Sequence, residues 1–108
     1  MKIEVRFHEL EASASLRSHA ERQVHSHLSR FGPELASVVV LLSSGKGAAE
    51  PTCTHCRVTV RGARLRSITL ASKSNDPVKD LTNLLERTGR EVGRELDGVR
   101  GLVRGKSS

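Results

Sequence analysis

"DPVKDLTNLLERTGREVGREL", residues 76–96, decides how this chain is read. It begins as a helix should. Asp76 is a good N-cap, and Pro77 fits the first helical position, where its missing N–H is no loss. On a wheel of 100° per residue, Val78, Leu84, Leu85, Thr88, Val92 and Leu96 gather around Leu81. On the opposite side, Lys79, Asn83, Arg87, Arg90 and Arg94 fall within roughly 80° of arc. Glu86 stands at the edge of that basic stripe, with Glu91 and Glu95 on the other flank. One stripe suits a core and the other is almost purely cationic. Gly89 and Gly93 lie between them, and each costs about 1 kcal/mol relative to Ala in a helix interior. Such a loss is offset where another backbone must approach closely, either a neighbouring helix or a nucleic-acid strand. The helix is expected to run from about 77 to about 96, with "DGVRGLVRGKSS" at 97–108 as a flexible basic tail.

Upstream, the chain alternates and then changes period. Ile3, Val5 and Phe7 point one way and Lys2, Glu4 and Arg6 the other, as in a strand with one wet face. Ser13 or Ser15 can cap the next helix, where Leu16, Ala20, Val24, Leu28 and Phe31 form one apolar stripe. "FGP" at 31–33 is read as its stop. "ASVVVLLS" at 36–43 is apolar on both faces and suits an interior strand. "SGKGAAEPT" at 44–52 is a loop. In "HCRVTVRG" at 55–62, Cys56, Val58 and Val60 point inward, and His55, Arg57, Thr59 and Arg61 outward. "RLRSITLAS" at 64–72 makes a fourth strand with Ile68 and Leu70 inward. The fold class is therefore α+β in the order β-α-β-β-β-α. A four-stranded mixed sheet should carry two helices packed on one face. Residues 1–96 form one domain.

Composition narrows the partners. Lys and Arg number 18 against 12 Asp and Glu, a net charge of +6, and Arg outnumbers Lys 13 to 5. Guanidinium favours bidentate phosphate contacts, so a polyanionic partner is expected. Phe7 and Phe31 are the sole aromatics. Without a stacking platform for bases, recognition would go through the backbone of a nucleic acid. Arg87, Arg90 and Arg94 span about 10 Å along a helix axis, a row able to follow phosphates. The opening residues show no secretory h-region, and "VVVLL" at 38–42 is too short for a membrane span, so a cytoplasmic protein is expected.

These features resemble the ribosome hibernation-promoting factors, also described as sigma-modulation or ribosome-associated inhibitor proteins. The likeness covers roughly residues 1–96. It rests on "MKIEVRF", on "SLR" at 15–17, on the element order, and on "DPVKDLT" at 76–82 with "RTGREVGR" at 87–94. Family members read something like D-x-Y-x-A-I-D and then K-L-x-R-Q-L-x-K. Asp76 matches the first Asp, Leu81 takes the Ile place, and Arg87, Arg90 and Arg94 fall on the three basic positions. Arg17 matches the "LR" arginine. Val78 replaces the usual Tyr, Thr82 replaces the second Asp, and glycines stand where the family has Ala or polar residues.

The resemblance implies a double-stranded-RNA-binding-domain-like fold with an added N-terminal strand. It implies binding to the small ribosomal subunit and its rRNA in the channel of mRNA and tRNA, silencing translation under stress or in stationary phase. A bacterial, monomeric chain with no cofactor and no catalysis is expected. Long family members carry a C-terminal domain that dimerises ribosomes, and a chain ending at Ser108 is expected to lack it. Besides Arg87, Arg90 and Arg94, the RNA-binding candidates are Lys79, Arg22 and Arg17 on the same side, with Arg64, Arg66 and Lys73 extending the patch.

Other readings compete. The basic stripe could be a plain solvated face, with Glu86–Arg90 and Glu91–Arg94 pairs worth tenths of a kcal/mol. The chain could bind double-stranded RNA in general, or act as a protein-interaction module through a wet sheet face bearing Val39 and Leu41. "CTHC" at 53–56 supplies two thiol ligands where structural zinc needs four, so no metal is expected and both cysteines are read as thiols. His19, His25 and His27 crowd the first helix, and no Ser-His-Asp arrangement emerges.

Overall fold

The structure is a computed structural model. It describes the backbone at residues 1–44 and 53–107, and side-chain surroundings only as far as residue 98. The elements are β1 (Lys2–His8), α1 (Ala14–Leu28), a 3₁₀ segment (Ser29–Glu34), β2 (Ser37–Ser44), β3 (Thr54–Gly62), β4 (Leu65–Ser74) and α2 (Pro77–Ser107). The sheet order is β1-β2-β3-β4. β1 and β2 are parallel, with Val5 opposite Val40, while β2–β3 and β3–β4 are antiparallel. The chain thus has the expected β-α-β-β-β-α order and mixed sheet. The loop read at 44–52 falls, beyond Ser44, outside the described residues.

Alternation settles which face is dry. Val5, Val38, Val40, Leu42, Cys56, Val58 and Val60 turn to one side and are buried. Ala20, Val24 and Leu28 of α1 join them, with Leu81, Leu84, Leu85, Val92 and Leu96 of α2, in a single core. Burying each large aliphatic side chain contributes about 1.5–3 kcal/mol, so this aliphatic core is what holds the two helices to the sheet. Val78 is an exception to the expected apolar stripe. It sits on the first turn of α2, beyond the covered stretch, and is 47% exposed. Thr88 is fully buried, and its hydroxyl donates to the Leu84 carbonyl at 2.7 Å, which removes the penalty of hiding it.

Helix ends follow local chemistry. Of the two candidate serines, Ser13 is the cap of α1: its Oγ accepts from Leu16 N at 3.2 Å. Asp76 accepts from Lys79 N at 3.3 Å through Oδ1, and so caps α2. α1 stops at Leu28, earlier than the expected stop at "FGP". Residues Ser29–Glu34 tighten into a 3₁₀ helix that contains Pro33. Proline disfavours α geometry in the residue before it, and no described glycine adopts the positive φ of a glycine stop. The same absence of a left-handed cap lets α2 run past Gly98 to Ser107, where the sequence suggests an end near 96. Residues 97–107 continue the helix rather than starting a separate tail.

The two helices lie side by side and point the same way. His19 of α1 places Nε2 at 2.9 Å from the Val78 carbonyl and 3.2 Å from Thr82 Oγ1. Further along, a Cβ on Gly89 would stand 3.0 Å from the His27 carbonyl oxygen, and one on Gly93 would stand 3.4 Å from Phe31. Of the two explanations for these glycines, close approach of the neighbouring helix is the one the structure displays.

Candidate nucleic-acid interface

α2 lies along β4, and this fixes where its polar flanks point. Asp80 accepts a hydrogen bond from the Ser72 hydroxyl of β4 at 2.7 Å. Two and four turns of the register later, the same flank carries the arginines. Arg87, Arg90 and Arg94, with Glu91 and Leu70 of β4, line one open depression of about 200 Å³. The three guanidinium groups therefore converge on one surface instead of scattering.

Two of the three are paired. Arg90 Nη2 lies 3.0 Å from Glu86 Oε1, and Arg94 Nη1 lies 3.0 Å from Glu91 Oε1. Magnitudes decide what this means. The four side chains are 44–74% exposed, so each pair is worth only about 0.3–0.5 kcal/mol. A hydrogen bond to a charged group contributes roughly 1.5–3 kcal/mol. Pairs this weak leave both guanidinium groups open to exchange with another anion. The pairs are a small cost that any other anion must overcome, and they leave the cations at the surface.

The remaining sequence candidates divide. Lys79 and Arg22 are exposed. Lys79 belongs to the outer face of α2. Arg22 stands one turn from His19 on α1, on its exposed side. Arg17 does not join them. Its Nη1 donates to the Val5 carbonyl at 2.9 Å and its guanidinium lies 5.4 Å from the Phe7 ring centre. That places it at the β1 edge, while the arginine row stands at the β4 edge, across four strands spaced about 4.8 Å apart. Arg64, in the β3–β4 turn, and Arg66, the second residue of β4, are exposed. Lys73 is opposite His55 in the register and lies on the open face of the sheet, away from both helices. Strand parity decides this: Ser72, its neighbour, faces the core side with Cys56.

One cation escaped the sequence reading. Arg30 stacks 4.7 Å over the Phe31 ring, and its Nη2 would be 3.8 Å from a Gly89 Cβ. It therefore lies against α2. A wheel drawn for α1 cannot place it, because α1 ends before it.

The cysteines contribute no comparable site. Cys53 and Cys56 are free and buried. Burial, then the adjacent Asp80 carboxylate, pushes the Cys56 thiol up to about 12, so it stays protonated at neutral pH. Among the described residues, no group of three or more His, Cys, Asp or Glu is placed to hold a metal ion. No described helix is long and apolar enough to cross a membrane.

No protein-family model matches the chain, and no curated protein does. Solved structures do match. A ribosomal subunit interface protein from Coxiella burnetii superposes with a TM-score of 0.73 at 16% identity, covering 87% of this chain and 96% of that one. The chain shares its fold with a ribosomal subunit interface protein. The N-terminal domain of Thermus thermophilus Protein Y matches similarly, with a TM-score of 0.71 at 17% identity, covering 87% and 98%. At such identities the likeness is one of fold, and it agrees with the architecture implied by the hibernation-factor resemblance.

Proposed function

We propose that this chain binds the small ribosomal subunit through rRNA phosphates, occupies the channel of mRNA and tRNA, and silences translation by steric blockade. The observation that carries this reading is the convergence of Arg87, Arg90 and Arg94 on one exposed depression, in a fold shared with a ribosomal subunit interface protein. Lys79, Arg22 and Arg30 extend the same helical face. Arg64 and Arg66 contribute from the β3–β4 turn and the start of β4. Contacts of this kind hold position without reading base sequence. They suit one fixed RNA target recognised by shape. The protein acts in the cytoplasm as a binder with no catalytic step, and is a monomer away from the ribosome.

Gradient sedimentation of cell extract tests this. The wild-type chain should travel with small subunits, and should be stripped from them as salt rises. Arg87→Ala/Arg90→Ala/Arg94→Ala should remain folded, because all three side chains are exposed, and should stay at the top of the gradient. Normal co-sedimentation of the triple variant would refute the site. Equal binding to bare duplex RNA and to subunits would favour a general double-stranded-RNA binder.

A further inference from the structure

The side of the sheet that faces away from the helices is predominantly cationic. Register and parity place Lys2, Arg6, Arg57, Arg61 and Lys73 on it, with His8 and His55. The only carboxylate in those rows is Glu4, already held by Arg6 at 2.6 Å. The middle of the face is mild: Val39 and Leu41 are half-buried, and Thr59 and Thr69 share a hydrogen bond at 3.3 Å. At one end, Leu41, Ser43, His55, Arg57, Ala71 and Lys73 line an open depression of about 270 Å³. Arg57 and Lys73 are diagonal neighbours across β3 and β4, with the Ser43 hydroxyl on the next strand.

We propose that this open sheet face is a second phosphate-binding surface, with its anchor at His55, Arg57 and Lys73, that takes the backbone of an RNA segment distinct from the one gripped by α2. Charge and lining argue against a second copy of the chain and against stacked bases. A second copy of the chain would have to bring like charges together, which is destabilising across strands and interfaces alike. It has no aromatic side chain, so bases cannot stack there, and sugar–phosphate is what remains to be recognised. Cationic surfaces on opposite sides of one small domain fit a molecule lodged between two RNA walls. In that respect the inference rests on the channel reading above, and it deepens it: the chain would be a bridge between RNA elements.

A bridging assay with the full-length chain tests this. One RNA duplex of about 16 bp is fixed to beads, and capture of a second, labelled duplex of the same length is measured. Wild type should capture it at low salt. Arg57→Gln/Arg61→Gln/Lys73→Gln should still bind the fixed duplex and lose the capture. Losing three phosphate contacts lowers the salt slope by about 2–3, so between 50 and 200 mM salt the wild type's capture should fall about 16–64-fold more than the variant's residual capture. Arg57→Glu alone, at an exposed position, should show the same direction. Undiminished bridging by the triple sheet variant would overturn the proposal. So would a wild-type dimer that the variant dissociates, or competition by polyglutamate as strong as by RNA of equal charge. If the α2 variant keeps its ribosome binding while the sheet variant loses bridging, the α2 assignment fails and the sheet face stands.

Discussion

The carboxylates beside the arginine row should weaken its grip on RNA. Glu86→Gln with Glu91→Gln removes both ion pairs while keeping side-chain length and helix propensity. Each pair joins exposed groups at 3.0 Å and contributes about 0.3–0.5 kcal/mol. A phosphate that recruits Arg90 and Arg94 must first break both, so the double variant escapes a cost of about 0.6–1 kcal/mol. With 1.4 kcal/mol per decade, its RNA affinity should rise about 3–5-fold. Relief of carboxylate–phosphate repulsion adds to this in the same direction. The free protein loses those same pairs, so its melting temperature should fall by about 3–8 °C. The number of phosphates contacted is unchanged, so the salt slope should not move. Fluorescence anisotropy with a labelled duplex at two salt concentrations measures affinity and slope together, and a thermal melt measures the stability. A melt that falls as expected, with affinity unchanged or weaker, would refute the reasoning: the cations would have been released and found no phosphate.

Other tests concern the scaffold. Gly93→Ala should stabilise the fold by up to about 1 kcal/mol in urea unfolding, because the added methyl meets only the movable Phe31 ring. Gly89→Ala should give no such gain, since its methyl meets the fixed His27 carbonyl at 3.0 Å. Gly62→Ala should destabilise markedly, because a Cβ there runs into the Glu34 carbonyl. For Cys56, the folded thiol is raised from 9.0 to about 12. The stability this represents is intact below 9.0 and lost as pH climbs toward about 12. Cys56→Ala should flatten that alkaline decline in pH-dependent unfolding.

Strands were legible because period-two alternation reports burial directly, and β1 and β3 carry it cleanly. The apolar stripe of α2 was legible for the same reason, apart from Val78, whose exposure depends on where the sheet's cover ends. Helix ends were harder. "FGP" reads as a glycine stop, yet the geometry there is a 3₁₀ tightening around Pro33 in which Gly32 keeps a negative φ. The arginine row could be read from a wheel, but its convergence with Leu70 needed the packing of α2 on β4. Arg17 and Lys73 show the limit of pattern. Nothing local tells a helix cation whether a free carbonyl lies within reach, and one residue of strand parity sent Lys73 to the far face.

The Arg17 bond to the Val5 carbonyl has a consequence for crowding. β1 is an outer strand, and such strands template intermolecular pairing unless something blunts them. Here a guanidinium occupies the Val5 carbonyl of that edge, with Lys2 and Arg6 on the same strand. At that border the charged side chains stand where the strand of a second chain would have to add, so edge-to-edge growth from β1 is disfavoured.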